Sequence, residues 1–219
     1  MSDNEKQFTY RITLLRHGES SGNAQNIFQG HAEYDLTEKG LAQSKAVAAR
    51  WQDEGETFMR IISSPQSRAQ QTAEIIADKL SLPLEFDSNW KEINSGVLAG
   101  LSLDEVDKRY PSREIITPYE PIGESGESQW DLYLRAGRVV QELIRRPAGN
   151  YLVVSHGGFL NRVMYAMLGI VPQANFAGAR FRFRNSAFAV LYYNPRQHIW
   201  LFDRFNDHSH WSEETSTPD

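Results

Sequence analysis

The sequence predicts an α/β fold, a three-layer sandwich with a mostly parallel central sheet, helices on both faces and an inserted cap region. Short apolar runs alternate with amphipathic segments along most of the chain, which is typical of a parallel sheet covered by helices. Hydrophobic residues make up 40% and aromatic residues 11% of the 219 positions, enough for a sizeable core. A chain of this length fits one domain with an insertion, so we expect a single domain over residues 1–219.

The first third of the chain predicts two strands and two helices in alternation. Residues 10–15 (YRITLL) are β-branched and aliphatic between polar flanks, which predicts a short strand. Residues 37–51 have the apolar spacing of an amphipathic helix that begins at a threonine N-cap. Residues 58–63 (FMRIIS) predict a buried strand. The Ser64-Pro65 pair then predicts the N-cap and first position of a helix that continues to about residue 80.

The middle of the chain is less regular. Residues from about 84 to 126 contain three prolines and two glycine-bearing turns, so we interpret them as an insertion that covers one face of the sheet and the site. Within it, a capping box that begins at Ser102 predicts a short helix. Beyond it we expect a helix over about 127–146, the strongest strand over 151–155 (YLVVS) and a helix over 161–168.

The last part of the chain predicts two strands and a tail. Residues 187–193 and 199–205 are strand candidates on either side of an Asn-Pro turn. The first of them can form a dimer edge or lie inside the sheet, so a homodimer stays an open alternative. From about residue 207 the composition is polar, and we expect a disordered tail in which His208 and His210 are solvated.

Composition excludes several classes of function. The formal charge of −5 argues against a nucleic-acid partner, which would favour a basic face. The absence of cysteine excludes disulfides and thiol chemistry. The start of the chain is polar, and the most apolar later stretch is interrupted by Asn161 and Arg162. We therefore expect neither a secretory signal nor a membrane span, and a cytoplasmic protein.

Two predicted strands end in the same way, in LLRHG and VVSHG. In a mostly parallel sheet the carboxyl ends of the strands face one crevice, so His17 and His156 are expected to share it. A glycine after each histidine lets the backbone turn sharply and approach a ligand closely. The alternative is that these are two unrelated histidines at strand ends.

Two arginines are expected beside this histidine pair. Arg16 precedes His17, and the turn at Gly18 must break the strand alternation if both side chains serve one site. Arg68 lies in the first turn of the helix that follows the second strand. A guanidinium suits a phosphoryl group because its planar fork donates to two oxygens and keeps its charge. Taken alone, an arginine in this position is more often a solvated helix residue.

Metal binding is the competing interpretation of paired histidines. Zinc and iron sites usually add Asp, Glu or Cys ligands at close spacing, and two arginines beside the pair would repel a cation. We therefore expect no metal. His31 and His198 belong to no motif and are given no role.

The motifs together resemble the histidine phosphatase superfamily, in particular its phosphoglycerate-mutase-like branch. The resemblance extends in order from about residue 13 to residue 158, and its segments are LLRHGES, DLTEKG, SSPQSRAQQTA, WKEINSGVLAG and VVSHGG. It implies that His17 is the nucleophile and forms a phosphohistidine intermediate. It also implies that Glu92 is the general acid and base, and that His156 is catalytic.

The resemblance assigns the remaining site residues as well. It implies that the phosphoryl group is bound by Arg16, Arg68 and Asn23, with Gly157, and that Gln29 and Gly30 contact the substrate. It implies a reaction without a metal or another cofactor, on a small phosphorylated metabolite.

Hydrolysis is favoured over a mutase reaction. In the phosphoglycerate mutases the glutamate is followed by Arg-His-Tyr, and a lysine and an arginine pair follow downstream. Here Glu92 is followed by Ile93, Asn94 and Ser95, and Arg113 is single. We therefore expect no cationic frame for a glycerate carboxylate, and a phosphomonoester hydrolase whose specificity is broad or set by residues 90–124. The alternatives are a 2,3-bisphosphoglycerate-dependent phosphoglycerate mutase and a non-catalytic phosphoprotein-binding module.

Overall fold

The computed structural model describes residues 10–110 and 115–212; Arg113 and residues 213–219 lie outside them. Six strands are observed: β1 (Tyr10–Arg16), β2 (Arg60–Ser63), β3 (Leu84–Phe86), β4 (Gly149–Ser155), β5 (Phe188–Asn194) and β6 (Ile199–Asp207). The helices are α1 (Ser21–Ala24), α2 (Glu38–Asp53), α3 (Ser67–Leu80), α4 (Leu103–Arg109), α5 (Gln129–Arg145) and α6 (Gly157–Leu168). Three short 3₁₀ turns add Ser88–Trp90, Gly96–Leu98 and Ala174–Phe176.

The strands form one sheet in the order β3-β2-β4-β1-β5-β6. Neighbours among β3, β2, β4 and β1 are parallel, whereas β5 runs antiparallel to both β1 and β6. In this register Arg16 lies beside Ser155 and Ser63 beside Val154. The carboxyl ends of three adjacent strands therefore meet at one edge of the sheet, and the expected mostly parallel α/β architecture is confirmed.

Each face of the sheet has its own hydrophobic core, as expected from a three-layer sandwich. Successive residues of a strand point to opposite faces. Leu14 packs into the core that includes α5 and α6, and Leu15 packs into the core that includes α2 and α3. Both leucines have no exposed surface. The two cores fix the helices, and with them the loops that follow the strands.

Three element boundaries differ from the predictions. Helix α3 begins after Gln66 and not after Ser64, because Ser64 is still extended, with its N–H donated to Val154 O at 3.0 Å. Helix α6 begins directly after His156. Strand β3, which pairs with β2, occupies the start of the segment that we interpreted as an insertion. An insertion therefore begins no earlier than the end of β3.

The polar tail also begins later than predicted, because residue 207 is still in β6 and the next residues pack. The two Asp207 carboxylate oxygens accept hydrogen bonds from Arg50 at 2.8 and 2.9 Å. The His210 ring stacks on Phe188 with centroids 6.3 Å apart, and the Arg184 guanidinium lies 5.8 Å from the Trp211 ring. The expectation of a solvated His210 is wrong.

No helix within residues 10–110 and 115–212 combines the length and apolar character needed to cross a membrane.

Candidate active site

The two histidines predicted to share a crevice lie side by side. His17 follows β1 and donates its backbone N–H to Ser155 O at 3.0 Å, at the end of β4. The rings of His17 and His156 have centroids 5.1 Å apart and are inclined by 62°. Their side chains are buried, with 2% and 0% exposed surface. The parallel pairing of β1 with β4 brings together residues that are far apart in the sequence.

The tautomer of His17 follows from its hydrogen bond. Its Nδ1 lies 2.6 Å from Gly18 O, and because a carbonyl oxygen can only accept, Nδ1 carries the proton. The lone pair is therefore on Nε2. Burial, reinforced by the charges of Arg68 and Arg16, holds the pKa of His17 well below the usual value for histidine. The ring is therefore neutral, with an unprotonated Nε2.

His156 is held from the end of the neighbouring strand β2. Its Nε2 lies 2.8 Å from Ser64 Oγ, so the serine that sequence reasoning placed at a helix cap contacts the site instead. Its Nδ1 is buried and has no hydrogen-bond partner among residues 10–110 and 115–212. Burial, with the charges of Arg68 and Arg16, keeps the pKa of His156 well below the usual value. A buried ring nitrogen without a partner is costly unless a ligand satisfies it.

Two arginines flank the histidines. Arg16 donates from Nη1 to Phe183 O at 2.8 Å, and Arg68 donates to Ala32 O at 3.0 Å and Gly30 O at 3.1 Å. In both, Nε is buried without a partner in the described part of the chain. Burial lowers the pKa of Arg16 to about 10, and it also lowers the pKa of Arg68. Two fixed, partly unsatisfied cations suit a tetrahedral anion.

The Glu92 carboxylate is cradled by backbone N–H groups. Ile93 N and Phe159 N donate to Oε1 at 2.9 and 2.8 Å, and Gly158 N donates to Oε2 at 3.2 Å. Two of these donors belong to the first turn of α6, where the helix dipole also favours an anion. The cradle brings the Glu92 carboxylate next to the first turn of α6, which begins directly after His156.

Gln66 and Arg135 hold Glu92 in position, and the sequence analysis singled out neither of them. Gln66 is fully buried; it donates to Gly30 O at 2.9 Å and accepts from Glu92 N at 2.8 Å. Arg135 in α5 makes a bidentate pair with Glu127 and donates to Glu92 O at 3.2 Å. A polar residue at the start of α3 was visible in the sequence, but nothing local marked Arg135.

The predicted phosphate ligand Asn23 lies in α1. Its Oδ1 accepts from Ser20 N at 3.1 Å and from Asn185 Nδ2 at 3.0 Å, which fixes the amide oxygen. The Asn23 amide NH₂ is thus the group left for a ligand. Asn185, which the sequence analysis also missed, donates to His17 O at 3.2 Å as well.

Gln29 and Gly30, predicted to contact the substrate, make supporting contacts in this structure. Gln29 Oε1 accepts from Ser20 Oγ at 2.8 Å. Gly30 has φ +49°, and a Cβ there would lie 2.2 Å from Ser95 Oγ. The left-handed backbone and the close approach to Ser95 both require glycine at position 30. The Gly30 carbonyl orients Arg68 by accepting its hydrogen bond. Gly157, a predicted phosphate contact, lies directly against the Arg16 side chain. A Cβ added at Gly157 would lie 3.3 Å from Arg16 Nε.

A cavity of about 510 Å³ opens beside Arg16. One wall is formed by Glu19, Asn23, Ala24 and Asn26, and the other by residues 182–185. None of the described residues of 90–124, which we expected to set specificity, lines this cavity. The wall formed by residues 182–185, the second wall, belongs to the segment ARFRFRN (residues 179–185). The alternation of aromatic and basic residues in that segment is visible in the sequence.

A metal cluster was not expected. Among the described residues no group of three or more His, Cys, Asp or Glu side chains is arranged to hold a metal ion.

Comparison with known proteins identifies the family. Residues 12–208 match the histidine phosphatase superfamily (branch 1). A probable phosphoglycerate mutase of Yersinia pestis (strain Pestoides F), GpmB, is 32% identical over 207 residues, covering 91% of this chain and 94% of that protein.

Solved structures share the fold. Bacillus stearothermophilus YhfR has a TM-score of 0.79 at 25% identity, covering 92% of this chain and 98% of that one. A mycobacterial glucosyl-3-phosphoglycerate phosphatase complexed with VO3 has a TM-score of 0.75 at 25% identity, with 90% and 99% covered. The family match spans the paired histidines, both arginines and Glu92, and the chain therefore belongs to the histidine phosphatase superfamily (branch 1).

Proposed function

We propose that this protein is a phosphomonoester hydrolase that works through a phosphohistidine on His17. The observation that carries the proposal is the state of that side chain: a buried neutral ring, protonated on Nδ1 against Gly18 O, with cations on both sides. A neutral imidazole with its lone pair on Nε2 can attack phosphorus, and splitting hydrolysis into two displacements lowers each barrier.

In the first displacement the His17 Nε2–P bond forms and the ester P–O bond breaks. Arg16 and Arg68 would bind the phosphoryl oxygens with their forks, and His156 Nδ1 and the Asn23 amide would add further hydrogen bonds. Because all these groups are already fixed by the fold, little reorganisation accompanies the charge that develops in the transition state. The positive charge that the ring gains is stabilised by Nδ1–H donation to Gly18 O.

The departing alkoxide needs a proton, which Glu92 would supply. Three backbone N–H groups hold its carboxylate in place. The carboxylate also interacts with the charges of Arg16 and Arg68.

In the second displacement water attacks the phosphohistidine. Glu92 takes a proton from that water, the new O–P bond forms, and the N–P bond breaks and returns the electron pair to Nε2. Inorganic phosphate leaves, and Glu92 retains the proton that it took from water, so it can act as the acid again in the next cycle.

Hydrolysis of a small phosphorylated metabolite is favoured over a mutase reaction by the residues that follow Glu92. Ile93 packs against the hydrophobic core and Ser95 is buried, so neither position offers a cation. The alternative rests on the name of the relative GpmB, a probable phosphoglycerate mutase.

The decisive experiment measures phosphate release from p-nitrophenyl phosphate and a panel of phosphorylated metabolites in EDTA. We expect turnover that falls by about 10³-fold or more in His17→Ala, since the nucleophile is lost. The matched control is His198→Ala, at an exposed turn position, which should retain turnover. Acid-labile phosphoprotein should form in the wild type and be absent in His17→Ala.

Two results would contradict the proposal. Lack of phosphate release from every ester would favour a binding module. Conversion of 3-phosphoglycerate to 2-phosphoglycerate that depends on 2,3-bisphosphoglycerate and outpaces phosphate release would favour the mutase.

A further inference from the structure

Ser64 directly follows β2 and is fully buried. Its Oγ lies 2.8 Å from His156 Nε2 and accepts from Gln66 N at 3.3 Å. Its backbone is held as well, since the N–H donates to Val154 O at 3.0 Å and the carbonyl accepts from Ser63 Oγ at 2.9 Å. The hydroxyl is therefore fixed against one ring nitrogen of His156.

The protons available decide the direction of the Ser64–His156 hydrogen bond. The ring of His156 is neutral, so only one of its nitrogens carries a proton. Among residues 10–110 and 115–212 the partners of Ser64 Oγ are Gln66 N, which is itself a donor, and His156 Nε2. If Nε2 carried the ring proton, the hydroxyl proton would be buried without an acceptor. The hydroxyl therefore donates to Nε2, and the ring proton is on Nδ1.

The two histidines would thus face the phosphoryl group of a bound substrate with different atoms. His17 carries its proton on Nδ1, against Gly18 O, and presents the lone pair of Nε2. His156 presents Nδ1–H, which is buried and has no partner in the part of the chain that the structure describes. A lone pair attacks phosphorus, whereas an N–H binds a phosphoryl oxygen. In the other tautomer His156 would turn a lone pair toward those oxygens and repel them.

We propose that Ser64 is a positioning residue that holds His156 in the Nδ1–H tautomer, so that His156 binds a phosphoryl oxygen as a hydrogen-bond donor. This inference rests on the proposed function, in which His156 Nδ1 binds the phosphoryl group. The wrong tautomer is costly because one donor is lost and a buried lone pair is left against an anion. Ser64 acts through His156 and not on the substrate.

The tautomer of His156 is measured by nuclear magnetic resonance of protein whose histidine rings carry labelled nitrogen, near neutral pH. In the wild type we expect a protonated Nδ1 and an unprotonated Nε2, with the His156 signals assigned by their absence in His156→Gln. In Ser64→Ala the donor to Nε2 is lost, so a substantial fraction of the rings should carry the proton on Nε2. This measurement needs no substrate and does not depend on turnover.

Ser64→Ala should also lower kcat/KM for p-nitrophenyl phosphate by about 10- to 100-fold, the range of one hydrogen bond to a charged group. Ser63→Ala is the matched control. Ser63 is equally buried, and its Oγ donates to the carbonyls of Ser64 and Ala69. The control loses a buried hydroxyl as well, but it should keep the Nδ1–H tautomer of His156 and most of the turnover.

Three results would overturn the role of Ser64. The first is a wild-type His156 that carries its proton on Nε2, a result that decides the question even if Ser64→Ala does not fold. The second is a Ser64→Ala protein that keeps the Nδ1–H tautomer, because any loss of turnover would then be merely structural. The third is an unchanged kcat/KM in spite of a changed tautomer.

Failure of the proposed function would look different. If the wild type hydrolyses no ester, p-nitrophenyl phosphate included, the hydrolase proposal fails, and calorimetry with inorganic phosphate takes the place of kinetics. Binding to Ser64→Ala that is about tenfold weaker than binding to Ser63→Ala, together with a changed tautomer, would support the role of Ser64. Equal binding to the two variants would refute it.

Discussion

Gly158 shows how little room the site leaves at single positions. A Cβ added there would lie 2.7 Å from Glu92 Oε1 and 2.9 Å from Ile93 Cδ1, closer than real Cβ contacts allow. The same backbone position donates its N–H to the carboxylate. At Gly157 an added Cβ would lie 3.3 Å from Arg16 Nε, which a small shift can accommodate. The two neighbouring glycines therefore serve different partners.

We expect Gly158→Ala to displace the Glu92 carboxylate without unfolding the protein, because that carboxylate ends a side chain that can move. General acid catalysis contributes about 10²–10⁴-fold, so alkyl phosphates should lose about 10- to 100-fold in kcat. p-Nitrophenyl phosphate, whose leaving group hardly needs a proton, should lose much less. Glu92→Gln should show the same dependence on leaving group in stronger form.

Gly157→Ala is the control for this experiment. Its added methyl group acts on Arg16, so both classes of ester should slow by a similar factor. Equal losses for alkyl and p-nitrophenyl esters in Gly158→Ala would remove Glu92 from the role of general acid.

At the scale of elements, α5 holds the loop that carries Glu92. Arg135 projects from this helix, pairs with Glu127 and donates to the carbonyls of Asn89 and Lys91, both at 2.8 Å. Its guanidinium also lies 3.9 Å from the Phe159 ring, in α6. One side chain of α5 therefore connects the loop before Glu92 with the helix that cradles its carboxylate.

Arg135→Lys should lower the free energy of unfolding by about 1–3 kcal/mol, because an ammonium cannot reproduce the planar fork and leaves carbonyls unpaired. It should also increase the sensitivity of kcat to the leaving group. Urea unfolding and the ester comparison above measure both effects. Arg138→Lys, exposed on the same helix, should change stability by less than about 0.5 kcal/mol. Equal effects of the two substitutions would show that Arg135 does not fix the loop that carries Glu92.

At the scale of the whole molecule, buried histidines make stability depend on pH. Burial, with the charges of Arg68 and Arg16, keeps the pKa of both His17 and His156 well below the usual value. Burial beside Arg50 lowers the pKa of His210 to about 4. Below about pH 6.5 the unfolded chain binds protons at these positions and the folded protein does not, so stability is lost as the pH falls.

Three such histidines should make the free energy of unfolding about 3–4 kcal/mol smaller at pH 5.5 than at pH 7.5, at about 1.4 kcal/mol per histidine and pH unit. Urea titrations at constant ionic strength measure the difference. In His210→Asn the difference should shrink by about a third, whatever that substitution does to stability at pH 7.5. A stability that is flat between the two pH values would mean that these rings are not buried in solution.

The sequence by itself determined the architecture and the centre of the site. His17 and His156 directly follow strands that are recognisable in the sequence as apolar runs. Parallel strands bring their carboxyl ends to one edge of the sheet. Arg68 was expected from its place in the first turn of the helix that follows β2, and Glu92 from the resemblance to the histidine phosphatase superfamily. Such residues can be identified from the sequence because each lies a fixed number of positions from a strand or a helix. A short segment of sequence is enough to predict that strand or helix.

Tertiary structure alone decided the contacts between distant segments. Gln66 and Arg135 reach Glu92 across 26 and 43 positions of the chain. Ser64 binds His156 rather than capping a helix, and His210 packs on Phe188 rather than extending into solvent. The arginines of the second cavity wall approach Arg16 because β5 pairs with β1. The order of strands in the sheet sets these neighbours, and hydrophobic periodicity specifies the strands but not their order.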